Sequence, residues 1–386
     1  MTGEAHVKIG FIPLVDAAAL LIAAHKGFAK AEGLDVELIR EASWANIRDK
    51  LAIGRFDAAH LLAPMAVAST LGLGHVRVPL VAPMNLAMNG NAIAVSTALY
   101  AELAAEGEVA HPAQTARSLA KLVARRRAEG REPLTFGMTF PFSMHNYQLR
   151  YWMAEGGVDP DEDLRLIALP PPYMVENLAR GQLDGFCVGA PWSSVAVDAG
   201  VGVILHFGCE IFTCAPEKVL ALRESFANDN PDLVAALIRA LDKGAAFVDE
   251  PHNLDEVSHI LSRPEYVGVD AEIIRRVLTG HLRVKARDER SDANYLIIGR
   301  DGAMRPDPRQ AAWIYAQMLR WGQTRYAPAM ADRAKRVLRT DLFDAAIDGV
   351  TTQREIAAFA GPSFDGRSYA DYLAGFAIGQ RLQALN

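Results

Sequence analysis

Short apolar runs alternate with helix-spaced stretches through the first half of the chain. Val7-Lys8-Ile9-Gly10-Phe11-Ile12 reads as a buried strand, and a helix follows from Asp16 through Ala17-Ala18-Ala19-Leu20-Leu21-Ile22-Ala23-Ala24 to Gly27. Residues 33–39 read as a second strand, Trp44 opens a second helix, and residues 56–62 read as a third strand. This alternation predicts a parallel sheet with right-handed crossovers. After Gly72-Leu73-Gly74 the pattern changes. Residues 76–82 and 92–96 read as strands joined by a loop over 85–91, the first crossing into a second domain. Two helical stretches then flank a polar insertion at 105–112.

The alternation restarts with a strand at 134–138 and a helix over 144–154 that stops at Gly156-Gly157. A strand at 164–169, a helix at 173–180 and a strand at 185–189 follow, with Pro191 placed to start the next helix, where its missing N–H does no harm. The chain crosses back near 211–218. Beyond Pro231 it becomes helical, with Leu233, Leu237, Leu241 and Val248 at helical spacing. Pro308 starts a long helix carrying Trp313, Ile314, Met318, Leu319 and Trp321, and the tail over 354–386 reads as helical with a break at Gly361-Pro362. The expected architecture is a two-lobed α/β clamshell. Lobe I takes residues 1–92 and 219–386, with a helical C-terminal extension, and lobe II takes 93–218. Two crossings place a ligand in the hinge cleft.

Composition narrows the function classes. At 386 residues the chain is too long for one small core. A net charge of −6 argues against non-specific nucleic-acid binding, and it makes an anion site depend on local positive charge. The run Arg125-Arg126-Arg127 reads as a solvated helix face. No stretch approaches the ~20 apolar residues of a membrane span. The first eight residues lack a basic region, an apolar stretch and a cleavage site. Cys187, Cys209 and Cys214 are too few and too odd for a disulfide framework. Together these point to the cytoplasm.

Catalytic signatures are weak. Gly72-Leu73-Gly74 lacks the third glycine of a dinucleotide fingerprint and precedes no helix. A P-loop, a His-Glu-x-x-His pair and a nucleophile elbow are missing from the sequence. His206, Cys209 and Cys214 are loosely spaced like metal ligands but have no fourth partner, so no metal and no cofactor are expected. An enzyme is not favoured. Trp44, at the mouth of a helix after Ser43, offers a flat face and one indole N–H to a small ligand; a core tryptophan closing a helix is the alternative.

Several stretches resemble the nitrate/bicarbonate-binding proteins of ABC transporters. They are Gly10-Phe11-Ile12-Pro13-Leu14-Val15-Asp16, the Ser43-Trp44 helix, Asp57-Ala58-Ala59-His60-Leu61-Leu62-Ala63-Pro64-Met65 and Asn89-Gly90-Asn91-Ala92-Ile93. Met144-His145-Asn146 with Arg150-Tyr151-Trp152, Val188-Gly189-Ala190-Pro191-Trp192 and Pro216-Glu217-Lys218-Val219-Leu220 continue the likeness in order over residues 7–322. The resemblance implies a periplasmic-binding-protein fold of type II and an oxyanion site at Trp44, Asn91, His145, Gly189 and Lys218.

The chemistry of those side chains suits a dehydrated planar anion, which needs donors and a compensating cation. Lys218 supplies the charge, His145 and Asn91 donate, Trp44 adds an N–H or a wall, and Gly189 lets backbone come close. Each type also has an ordinary use: an exposed lysine, a core or cap histidine, a glycine at a strand end, an asparagine in a turn. Family members carry Gln at the position of Asn91 and often Glu at that of Ala190. The second departure removes a carboxylate and disfavours a bicarbonate-plus-calcium mode.

The resemblance is greatest to the family's soluble nitrate/nitrite sensors. It implies a cytoplasmic sensor that binds nitrate or nitrite and, when anion-free, holds an RNA-binding antiterminator of the ANTAR type, with no direct nucleic-acid or membrane contact. A substrate-binding protein of a nitrate/bicarbonate-type transporter is the alternative. An enzyme like the pyrimidine-precursor synthases of thiamine biosynthesis is a third reading.

Overall fold

The structure is a computed structural model that describes residues 4–349 and 355–379. Among the described residues the strands are, in chain order, Ala5–Phe11 (β1), Leu34–Arg40 (β2), Ala58–Leu62 (β3), Leu80–Asn89 (β4), Asn91–Ser96 (β5), Thr135–Met138 (β6), Arg165–Ala168 (β7), Gly185–Gly189 (β8), Gly202–Phe207 (β9), Pro216–Arg223 (β10), His281–Lys285 (β11), Asp288–Ser291 (β12) and Leu296–Ile297 (β13). They form a six-stranded sheet in the order β13-β4-β10-β3-β1-β2, a five-stranded sheet in the order β7-β6-β8-β5-β9, and a β11-β12 hairpin.

Both sheets are mixed. β1 runs parallel to β2 and β3, as the alternation predicts, but β10 is antiparallel to β3 and β4. In the second sheet β6 is parallel to β7 and β8, while β5 is antiparallel to β8 and β9. The expectation of a purely parallel sheet fails for a topological reason. β4 carries the chain out to the second sheet and β10 carries it back, so the two neighbours must run in opposite directions.

The crossings lie close to the expected positions but displaced. β4 ends at Asn89 and β5 begins at Asn91, so the outward passage is Gly90 alone. Asn89 and Gly90 both take positive φ, 61° and 86°, and a Cβ on Gly90 would meet Leu296 Cδ1 at 2.8 Å, so the turn requires glycine. The return lies between the Gly208–Ile211 helix and Pro216. Residues 91–92 therefore pair in the second sheet, and residues 216–218 in the first.

Two further expectations are corrected. Residues 76–79 are irregular, and residues 85–89, expected as a loop, are strand. The tail also departs from its helical reading: of residues 355–379 only Tyr369–Ala374 is helical, and the rest of that expectation lies outside the described residues. Glycines 361, 366 and 379 take positive φ and break the run. What fixes this segment is aromatic packing. Tyr151 meets Phe359 and Phe376 edge-on, and the buried Arg320 guanidinium lies over the rings of Tyr151, Trp321 and Phe376.

Helices cover both sheets. Ala18–His25 packs on the long Pro231–Asp249 helix, and Pro308–Arg320 packs on Ala63–Leu71. No helix of the described residues is long and apolar enough to cross a membrane. Arg125, Arg126 and Arg127 pair with Glu106, Glu102 and Asp163 on the outer face of Pro112–Ala128, as a solvated helix face would.

Candidate ligand-binding site

The two sheets meet where β10 re-enters the first of them. The register against β4 shifts between Pro216 and Lys218 and again between Lys218 and Val219. A bulge breaks the usual alternation of side chains along a strand and re-aims them. Neighbouring Glu217 and Lys218 thereby share one buried space, with Lys218 Nζ 2.9 Å from Glu217 Oε1. On its other side Lys218 Nζ lies 2.8 Å from Asp16 Oδ2, and Asp16 Oδ1 lies 2.9 Å from His60 Nε2.

The second lobe closes the space. His145 stands in the first turn of the Met144–Glu155 helix, whose N-cap Ser143 accepts the Asn146 N–H. Its Nδ1 lies 3.0 Å from Thr139 Oγ1 and 3.4 Å from Glu217 Oε1. Asn91, the first residue of β5, donates from Nδ2 to Glu217 Oε2 at 2.6 Å and to Gln148 Oε1 at 2.9 Å. Trp44 opens the Trp44–Ala52 helix, with its ring 5.4 Å from Lys218 Nζ and 5.5 Å from the His60 ring. Gly189 ends β8, and a Cβ there would sit 3.2 Å from Asp16 Oδ2. Its lack of a side chain makes room for that carboxylate.

All five residues expected at the site therefore converge. None of Trp44, Asn91, His145 and Lys218 is more than 1% exposed. Asp16, His60, Gln148 and Glu217 are equally buried and complete the cluster, though none of them is among the site residues expected from the sequence. Lys218 differs from its expected part. It is not a free cation waiting for an anion, because two carboxylates already flank it.

Electrostatics follow from burial and from these neighbours. Burial alone would raise the Asp16 carboxyl, but the Lys218 charge and His60 outweigh it and hold it down at about 2. Burial would lower Lys218, yet Asp16 and Glu217 hold it above its ordinary value. Burial raises Glu217, with Lys218 only partly offsetting it. Burial lowers His60 against the pull of Asp16, and burial with the Lys218 charge puts His145 well below the usual imidazole range. Both imidazoles are neutral near pH 7.

Four buried polar atoms of the cluster have neither a hydrogen-bond nor an ion-pair partner among the described residues: Trp44 Nε1, His145 Nε2, Asn91 Oδ1 and His60 Nδ1. Buried polar groups are nearly always hydrogen-bonded, so such a group calls for an explanation. The first two can present N–H donors to a small ligand held between the lobes. The loosely metal-like trio lies apart. His206 Nε2 contacts Thr115 Oγ1, the Cys209 thiol points to Asp292, and among the described residues no three His, Cys, Asp or Glu side chains group as a metal site.

Residues 2–262 match the model of the NMT1-like family. The chain is 34% identical over 390 residues to the nitrate import ATP-binding protein NrtC of Synechocystis, covering 98% of this chain and 56% of that longer protein. The chain thus spans about half the length of that relative. It is 32% identical over 382 residues to the nitrate/nitrite binding protein NrtA of Nostoc, covering 95% of this chain and 84% of the relative. The crystal structure of the periplasmic nitrate-binding protein NrtA from Synechocystis superimposes with a TM-score of 0.89 at 29% identity, over 97% of this chain and 99% of that one. The fold is that of the periplasmic binding proteins, and the chain belongs to the NMT1-like family, among its NrtA-type binding proteins.

Proposed function

We propose that this chain binds a small planar oxyanion, nitrate or nitrite, between its lobes and serves as the substrate-binding part of an ABC-type importer. The observation that carries the binding role is the pair of unpartnered buried nitrogens, Trp44 Nε1 and His145 Nε2, beside a buried lysine at the junction of the lobes. Such nitrogens suit a ligand of two or three oxygens, each an acceptor. The names of the relatives support nitrate or nitrite and an import role over the cytoplasmic sensor with an antiterminator partner. Both roles would use the same site and differ in who reads the closed state.

Calorimetry against nitrate, nitrite, bicarbonate and sulfate tests this. Saturable heat with nitrate or nitrite and little with tetrahedral sulfate is the expected outcome. Preference for sulfate or bicarbonate, or no heat with any of the four, sinks the reading.

A further inference from the structure

We propose that the site takes its anion together with one proton, which Glu217 and His145 hold between them, so that the ligand enters as an electrically neutral pair. The proposal rests on the oxyanion reading above and specifies which species that site accepts.

Titratable groups crowd around Glu217 from every side. β10 itself brings Lys218; the turn after β1 brings Asp16; β3 brings His60; the Met144–Glu155 helix brings His145; β8 brings the Cys187 thiol. The Tyr295 hydroxyl, just before β13, is also near enough to Asp16 and Cys187 to feel them. Thiol, phenol and both imidazoles are neutral, so one ammonium faces two carboxylates. An arriving anion would make three negative charges to one positive in a space sealed from water. Buried charge without compensation is strongly unfavourable, and the inexpensive remedy is a proton.

His145 lies between Glu217 and the space for the anion. A neutral imidazole carries one N–H. With that hydrogen on Nδ1, toward Thr139 and Glu217, the unpartnered Nε2 turns a lone pair on any anion beside it. With the hydrogen on Nε2, the lone pair of Nδ1 can accept from Thr139 Oγ1 at 3.0 Å, yet it also faces the Glu217 Oε1 carboxylate oxygen at 3.4 Å. One added proton relieves that contact while keeping Nε2–H for the anion. It sits as O–H on Glu217 facing Nδ1, while Nε2–H donates to the anion. The proton comes from solvent while the lobes are apart, and no bond of the anion is made or broken. Burial favours Glu217 over His145 as its seat, since burial raises the carboxyl and lowers the imidazole.

The test is calorimetry with sodium nitrate and with sodium nitrite between about pH 6 and about pH 9, each point taken in two buffers of different ionisation enthalpy. Neither anion takes up a proton of its own in this range, so any proton counted goes to the protein. Toward the alkaline end about one proton should be absorbed per anion, with Kd rising about tenfold per pH unit, as reciprocity demands. In Glu217→Gln the count should fall to near zero and Kd should become flat with pH. Equal heats in both buffers with a pH-independent Kd overturn the proposal, as does a full proton count in the variant. Should the variant fail to fold by circular dichroism, the wild-type buffer pair decides by itself. Absence of heat with either anion at every pH overturns the oxyanion reading as well, and so is distinguishable from anion binding without a proton.

Discussion

Lys218 shows what one buried charge demands of its surroundings. A lysine is almost never fully buried unless paired, and here Asp16 and Glu217 pair it from two sides. Lys218→Met keeps much of the volume but leaves two carboxylates facing each other. Breaking a buried pair from one side costs about 3–5 kcal/mol. Urea denaturation should register a loss of that size, and adding Asp16→Asn should return a good part of it by removing one stranded charge. If Lys218→Met is as stable as the wild type, the ion pairs seen around it contribute nothing to the fold. This residue also marks the limit of the sequence. Asp16, before a run of alanines, reads as the start of a helix. Glu217 reads as facing away from Lys218, because strand alternation separates neighbours. Only the bulge brings the two together, and it has no residue signature. His60 lies within the apolar run Ala58–Leu62 and reads as core. The five residues expected at the site stand at or near element ends or junctions, where side chains face a ligand more often than a core.

At the scale of elements, periodicity located most strands and helices and failed where backbone irregularity overrides it. β4 is the clearest case. The sequence reads as a strand over 76–82 followed by a loop over 85–91, whereas the strand runs over Leu80–Asn89, straight through Pro83. Opposite Pro83 the register shifts, with Leu220 facing Met84 and Leu222 facing Val81, and such a bulge is one of the few places a strand accepts proline. Helix packing has its own constraint. Gly244 lies within Pro231–Asp249 where that helix meets Ala18–His25, and a Cβ there would fall 2.3 Å from the Ala19 carbonyl oxygen and 3.0 Å from Ala23 Cβ. Alanine is the better helix former by ~1 kcal/mol. The clash is with backbone, which cannot swing aside, so overpacking at ~1–3 kcal/mol should outweigh that gain. Gly244→Ala is therefore expected to lower the thermal midpoint. A raised midpoint would mean the helices separate at little cost.

For the whole molecule, the described arrangement is a closed one, and its closure is held well beyond the two crossings. Arg276 of lobe I pairs with Asp198 at the end of the Trp192–Asp198 helix of lobe II, and Arg283 reaches the same carboxylate at 3.1 Å. On the opposite side the segment after Pro308–Arg320 grips the loop that carries Thr139. Tyr147 donates from its hydroxyl to Gln323 Oε1 at 2.8 Å, and Gln323 Nε2 donates to the Pro141 carbonyl at 2.9 Å. Phe142 of that loop lies against Gly74 of lobe I, where a Cβ would meet its ring at 2.9 Å. With the site residues almost wholly buried, no ion reaches Lys218 or His145 unless these contacts part. Small-angle scattering should thus show a larger radius of gyration without anion than at saturating nitrate. Gln323 touches none of the cluster around Lys218, so its removal should leave the chemistry of the site intact and act on closure alone. A contact made only in the closed state slows escape more than arrival. Two hydrogen bonds, each worth about 0.5–1.5 kcal/mol net, set the scale. Gln323→Ala should accordingly release nitrate about 5- to 160-fold faster in a stopped-flow chase, with little change in association rate. Release at the wild-type rate would mean that the lobes are held by the crossings and the site alone, and that the C-terminal helices merely cover them.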